Sequence, residues 1–297
     1  MNIPRDIDRE KMFPAETARS VSAPLEIRST GTVLADWNRA TGEALETLQT
    51  PAFPRALQMA LKTVIAYDIS MVFAYSGREK PICLDHNMEA ARAATVIEDY
   101  IRGPYLLDPF YAAAVGTDRA GVIRLKTLAP DLFYNSEYFK RHYVRTGIRD
   151  EVGFLVRPSP GAALVFSVTR PIDRPAFSAR DMQLFQAVEP VVRRLAEFHW
   201  RDVAARFGPS PGPAGGGLKD GPIGVALDQM ADGRLTRREI EITALVLRGH
   251  SNASIADLLK ISAGTVKIHR RNIYQKLDIS NQADLFSRFI GHLAQIG

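Results

Sequence analysis

Residues 208–224 read GPSPGPAGGGLKDGPIG, with seven Gly and four Pro in 17 positions. Such a run cannot build a core or carry a continuous helix, and it reads as a linker of mixed stiffness. It divides the 297 residues unequally. A larger domain is expected over 25–206, a Gly/Pro linker over 207–224 and a smaller module over 225–297. Hydrophobic residues make up 46% and charged residues 24% of the chain, so both parts can bury a real core. Disordered and collagen-like chains are excluded.

The first 24 residues are polar and punctuated by Pro4, Pro14 and Pro24, which fits a flexible arm. They hold no apolar signal-like segment, and no stretch of 18 apolar residues occurs. A cytoplasmic protein without a membrane partner is expected. The single cysteine, Cys83 in the apolar stretch PICLD, permits no intrachain disulfide and reads as buried filler.

The net charge is +5. Residues 1–233 hold 28 basic and 28 acidic side chains, and residues 234–297 hold 10 basic and 5 acidic ones. The whole excess therefore sits in the last 64 residues, the footprint of a polyanion-binding module beside a neutral one.

Within the larger part, apolar periodicity predicts helices over 53–68, 88–103, 129–147 and 178–206 and strands over 69–76, 81–85, 121–128, 151–157 and 162–170. Ser178 is an N-cap candidate, and Pro190 a position where the last helix would kink or divide. The last two strands have a short connection and read as a hairpin. The order fits an α+β domain with helices packed on an antiparallel or mixed sheet. No GxGxxG, GxxxxGK[ST] or HExxH motif occurs, and the scattered histidines lack metal-ligand spacing. No cofactor, metal or enzymatic activity is expected.

In the smaller part, Thr236 and Glu239 form a capping box before the stripe Ile240, Ala244, Leu247. Three further helices are predicted over 253–260, 263–277 and about 282–294. Ser262 caps the third, and Val266, Ile273 and Leu277 share one of its sides. Short helix, tight turn and basic helix make a helix-turn-helix, whose third helix would enter the major groove of double-stranded DNA by its N-terminal half. Lys267, Ile268 and Arg271 point away from the apolar side. Lysine and arginine can donate to guanine or phosphate, and Ile268 can meet a thymine methyl. Ser262 and Thr265 at the helix N-terminus can hold a phosphate, and His269 and Arg270 are candidate backbone contacts.

The stretches LTRREIE, SIADLL, SAGTVKIH and NIYQKL, with Gly249, Ser251 and Asn252 at the second helix, closely resemble the tetrahelical DNA-binding domain of LuxR/FixJ/NarL-type transcriptional regulators. The resemblance covers about 234–294. It implies base reading by Lys267, Ile268 and Arg271, phosphate contacts from Thr265, His269, Ser251 and Asn252, and dimerisation through the fourth helix. Arg270 departs from the family's usual aliphatic residue. Its stem could cover the small core while its charge reaches DNA.

In the larger part, residues 98–114 gather Tyr100, Tyr105, Asp108, Phe110 and Tyr111, and residues 133–143 add Phe133, Tyr134, Tyr138 and Tyr143. Aromatic walls with a few polar tips suit a small-molecule pocket. Asp108 could accept from a ligand amide or pair with an amine. The bland alternative is a helix core in which Asp108 caps a helix begun by Pro109. The Tyr100…Asp108-Pro109 pattern resembles the autoinducer-binding domain of quorum-sensing regulators, a PAS/GAF-like α-β-α sandwich. That family's neighbouring tryptophan is absent, which points to a metabolite other than a lactone. The expectation is a ligand-responsive regulator that binds an approximately palindromic operator as a homodimer, with RNA polymerase a further candidate partner. A sensing domain that docks a protein, or an enzyme domain fused to the DNA-binding module, are the alternatives. A closed cavity of a few hundred Å³ against the sheet would argue against the docking platform.

Overall fold

The computed structural model describes residues 29–116, 119–208 and 218–296. The expected arm over 1–24 and the central linker residues 209–217 lie outside them.

Helices α1 (Thr30–Glu46) and α2 (Phe53–Val64) come first. Ser29 caps α1 by accepting from the Thr32 amide at 3.2 Å, and Pro54 sits in the first turn of α2, where its missing N–H costs nothing. Strands β1 (Ile69–Tyr75), β2 (Ile82–His86), β3 (Gly121–Arg124), β4 (Ile148–Ser159) and β5 (Ala162–Pro171) form one antiparallel sheet in the order β2-β1-β5-β4-β3. The hairpin predicted between the last two strands is present, and Gly161 turns it at φ +79°.

Both faces of the sheet are covered, so strand alternation separates two cores rather than core from solvent. Val72, Ala74, Val152, Phe154, Leu164 and Phe166 face one way. They pack under α1, α2 and the long helix α6 (Ala179–His199) through Trp37, Phe53, Leu57, Phe185 and Val192. Phe73, Tyr75, Leu155, Ala163 and Val165 face the other way. They lie under α3 (Ala90–Ile101), a 3-10 turn at Pro104–Leu107, and α4 (Pro109–Gly116). The result is the α-β-α arrangement expected of this sequence. Gly153 is part of it, because a Cβ there would lie 2.6 Å from the Phe110 ring.

Three element predictions need correction. The predicted strand over 121–128 stops at Arg124, where Arg124 Nη2 pairs with Asp150 at 2.5 Å and the short helix α5 (Leu125–Leu128) buries Leu125. The predicted helix over 129–147 is divided into a 3-10 turn at Phe133–Asn135 and a helical stretch over 137–146 whose centre, Phe139–Val144, is π-helical. Ser136 causes the break. Its hydroxyl donates to Phe133 O and accepts from the Phe139 amide, satisfying groups a helix would use itself. The predicted helix over 178–206 ends at His199, and only a 3-10 turn at Val203–Arg206 follows. Ser178 caps its start in a full capping box with Asp181. Pro190 stays inside α6, on its solvent face beside exposed Gln186. The carbonyl that loses its partner there can reach water.

The C-terminal bundle holds α7 (Pro222–Ala231), α8 (Arg237–Arg248), α9 (Asn252–Leu259), α10 (Ala263–Leu277) and α11 (Gln282–Ile296). The last four match the expected set. Helix α7 is additional and starts inside the stretch expected as linker, with Pro222 at its first position. The Thr236–Glu239 capping box is present, and Glu239 also accepts from Lys276 Nζ at 2.6 Å, tying α8 to α10.

The bundle is docked on the larger part. The Leu132 amide donates to Gly249 O at 2.9 Å, and Arg248 reaches Leu106 O at 3.4 Å. Gly249 ends α8 at φ +92°, and a Cβ there would sit 2.8 Å from Phe133 Cα. Only glycine serves both the left-handed turn and this close approach.

Candidate ligand cavity and nucleic-acid interface

Phe73, Tyr75 and Val165 form a floor on one sheet face, and α3, α4 and the π-helical turn form the roof of a cavity of about 30 Å³. That is room for about two water-sized groups, far less than the closed pocket that would have argued against a docking platform. Its walls include Tyr100, Asp108, His142, Tyr143 and Glu151.

Two carboxyl groups are buried here, Asp108 at 7% and Glu151 at 6% exposure. Tyr100 Oη donates to Asp108 Oδ2 at 2.6 Å, and the Phe110 amide donates to Asp108 Oδ1 at 2.8 Å. Asp108 therefore does start α4 ahead of Pro109, as the bland alternative held, and it also faces the cavity. Tyr75 and Tyr100 share a hydrogen bond of 2.9 Å. Tyr143 Oη donates to Glu151 Oε2 at 2.8 Å, and Glu151 also bonds the Ser167 hydroxyl. Burial pushes both carboxyls above the usual range, and the negative charge of Asp108 raises Glu151 further. Burial also lowers His142 to about 4, so its ring is neutral at pH 7.

Of the ligand residues expected from sequence, Tyr100, Asp108 and Phe110 line this cavity. Tyr105 and Tyr111 pack edge to face beside it, with ring centroids 5.0 Å apart. Tyr138 stacks on His142 at 5.3 Å, and its buried hydroxyl has no hydrogen-bond partner among the described residues. Phe133 and Tyr134 belong to an aromatic cluster with Phe139. Tyr143, among the aromatics singled out from sequence, also lines it, whereas Tyr75, Glu151 and Ser167 were missed as site members. The available signal was an acid in EVGFLVR on the same face as Gly153 and Leu155, in a strand whose Val152, Phe154 and Val156 mark it as buried.

Val96 and His142 also border an open groove of about 1050 Å³ between the two parts of the chain. Its far wall is Phe286, Ile290 and Leu293 of α11. Among the described residues no group of three or more His, Cys, Asp or Glu is placed to hold a metal ion, and no helix is long and apolar enough to cross a membrane.

On α10, Ser262 accepts from the Thr265 amide at 3.0 Å and caps the helix. Lys267, Ile268 and Arg271 are exposed together, Ile268 to 59%. They stand opposite buried Val266, Ile273 and Leu277. His269 is partly buried. Arg270 is not directed outward. It donates to Asn252 Oδ1 at 2.9 Å and to Tyr274 Oη at 3.0 Å, so it braces α9 against α10 and occupies Asn252 as well. Ser251 caps α9, and its backbone amide donates to Asp131 Oδ1 at 2.9 Å.

Residues 233–289 match the family described as bacterial regulatory proteins, luxR family. An HTH-type transcriptional regulator from the exeN 3' region of Aeromonas salmonicida is 30% identical over 186 residues, covering 63% of this chain and 94% of that protein. This chain belongs to the LuxR family. As a LuxR-family chain it is a transcriptional regulator with a helix-turn-helix, and its homologues are regulators rather than enzymes. The monoamine regulon transcriptional regulator of Klebsiella aerogenes is 29% identical over 154 residues, 52% of this chain and 56% of that protein. Among solved structures, the VqsR LBD domain of Pseudomonas aeruginosa is 28% identical and covers 55% of this chain and 95% of that one, at a TM-score of 0.49.

Proposed function

We propose that this regulator binds DNA sequence-specifically as a cytoplasmic homodimer on an approximately palindromic operator, and that a small molecule held by residues within 25–206 controls that binding. The observation that carries the DNA half is the exposed triplet Lys267, Ile268 and Arg271 on a Ser262-capped helix. This face combines donors for guanine and phosphate with an apolar group for thymine, on an element of major-groove dimensions. Ser262, Thr265 and His269 supply phosphate contacts at its edge, and RNA polymerase is the partner through which a bound dimer would act. Arg270 and Asn252 serve the fold of the reading head rather than DNA.

The ligand half is supported by the buried carboxyls. Burying an acid without a counter-charge is costly, and a domain that only docks proteins has no use for two of them facing one cavity. Ligand would shift the population between the docked arrangement and one in which the N-terminus of α9, held by Asp131 when docked, is free for DNA.

Selection of fragments from a genomic DNA library by the full chain, followed by footprinting over a salt series, tests the reading. A protected site with two half-sites about one helical turn apart is expected. Protection without sequence preference at every salt concentration would overturn it.

A further inference from the structure

Asp108 and Glu151 face one cavity, and every group that hydrogen-bonds them there is neutral. The donors are the Tyr100 hydroxyl and Phe110 amide on one side, and the Tyr143 and Ser167 hydroxyls on the other. Among the residues lining the cavity there is no Lys or Arg. Burial leaves His142 uncharged. With no cation beside them these carboxyls meet burial by holding protons, and a bound cation is the occupant that would let both ionise.

The surrounding rings favour the same occupant. Phe73 and Tyr100 lie 4.8 Å apart by centroid, Tyr75 follows Tyr100, and Tyr143 closes the Glu151 side. Aromatic faces carry negative partial charge and attract a cation, most strongly where water is excluded. An independent observation is the Tyr138 hydroxyl, at 1% exposure and without a partner among the described residues. The Tyr138 ring borders the groove and stacks on His142, and its hydroxyl is near enough to feel the charges of Asp108 and Glu151. A buried polar atom left unpaired beside a void is where a ligand donor belongs. A neutral amide N–H offers a single proton. An ammonium group offers three, one for each carboxyl and one for Tyr138.

We infer that the cavity takes the protonated head of a primary amine, held between Asp108 and Glu151 and enclosed by tyrosine rings. This rests on the reading of the larger part as a ligand sensor and names the ligand's class. The cavity's volume fits the head alone. The carbon chain of the amine leaves past Val96 and His142, which border both cavity and groove, and runs toward Phe286, Ile290 and Leu293 of α11. Such a ligand touches both parts of the regulator at once.

The test is calorimetric titration of the full chain with n-hexylamine and 2-phenylethylamine, beside the neutral hexanol and 2-phenylethanol and the neutral amide N-hexanoyl-homoserine lactone. Both amines are expected to bind at least tenfold more tightly than their alcohols. Glu151→Gln is expected to weaken amine binding at least tenfold. Tyr138→Phe, which removes a hydroxyl with no partner and leaves the core filled, is expected to weaken it severalfold, and it carries the test if Glu151→Gln does not fold. Equal binding of amines and alcohols would overturn the inference, as would full amine affinity in the folded variants. Binding of the lactone without the amines overturns the amine assignment and leaves the sensor reading standing. Binding by none of the five, with no small molecule carried through purification in native mass spectra, overturns both.

Discussion

The backbone amide of Ser251 donates to the Asp131 carboxylate at 2.9 Å. Ser251 is the N-cap of α9, and a helix N-terminus is where a DNA phosphate would be held. A carboxylate of the larger part thus sits where phosphate would, and the bonds it receives from Ser251 help hold it below the usual carboxylate range. Asp131→Ala is expected to raise affinity for DNA by about threefold, the size of one exposed charge contact. Fluorescence anisotropy with a labelled duplex reads this directly. A lowered affinity would show that the contact does not compete with phosphate.

The small bundle depends on Glu239, which is 3% exposed. It accepts from the Thr236 amide at 2.8 Å and from Lys276 Nζ at 2.6 Å. Glu239→Ala removes the reciprocal cap and the tie to α10. A loss of about 2 kcal/mol is expected, measured as the shift in urea midpoint of the full chain.

Glu151 gives the regulator a pH dependence of defined sign. Asp108, Tyr143, Ser167 and the neighbouring Asp150 face it, and burial and the two acids push its carboxyl up. The folded chain therefore keeps this proton at pH values where the unfolded chain, with an ordinary glutamate near ~4.3, has lost it. The folded state binds more protons, so stability falls as pH rises from the glutamate range through neutrality. Urea midpoints from about pH 5 to about pH 8 should decline for the parent chain, and Glu151→Gln should flatten the decline. An identical slope in both would place the titration elsewhere.

Features fixed by neighbours in sequence were legible before the structure. The Ser178 and Thr236 caps, the β4–β5 hairpin and the face that separates Lys267, Ile268 and Arg271 from Val266 and Ile273 all follow from spacings of a few residues. The break at Ser136 was not legible, because one hydroxyl overrides an apolar periodicity that favours a continuous helix. Helix α7 was hidden in a Gly/Pro-rich stretch that composition reads as linker. Packing against Leu227's neighbours in α8 and α11, rather than propensity, holds it. The pairing of Asp108 with Glu151 was also hidden. The two acids are far apart in sequence, and only the folded sheet brings Glu151, under Tyr143 of the π-helical turn, to the cavity that Asp108 also lines. Arg270 could be read as either core cover or DNA contact, and its bond to Asn252 needed both helices placed.

Lys267 is exposed on α10 and reads as a charge contact with phosphate or base. Lys267→Ala is expected to lower affinity for all duplexes and to reduce the slope of log affinity against log salt by about 1. Filter binding over a salt series measures both quantities.

Base reading by α10 is tested most directly at Arg271, exposed on its outer face. The measurement is the ratio of Kd values for a scrambled duplex and the selected operator, taken at one salt concentration for parent chain and Arg271→Ala. The parent is expected to prefer the operator on the order of 10³-fold, and the variant to lose about tenfold of that preference while staying folded. A ratio unchanged by the substitution would contradict the assignment of α10 as the reading helix.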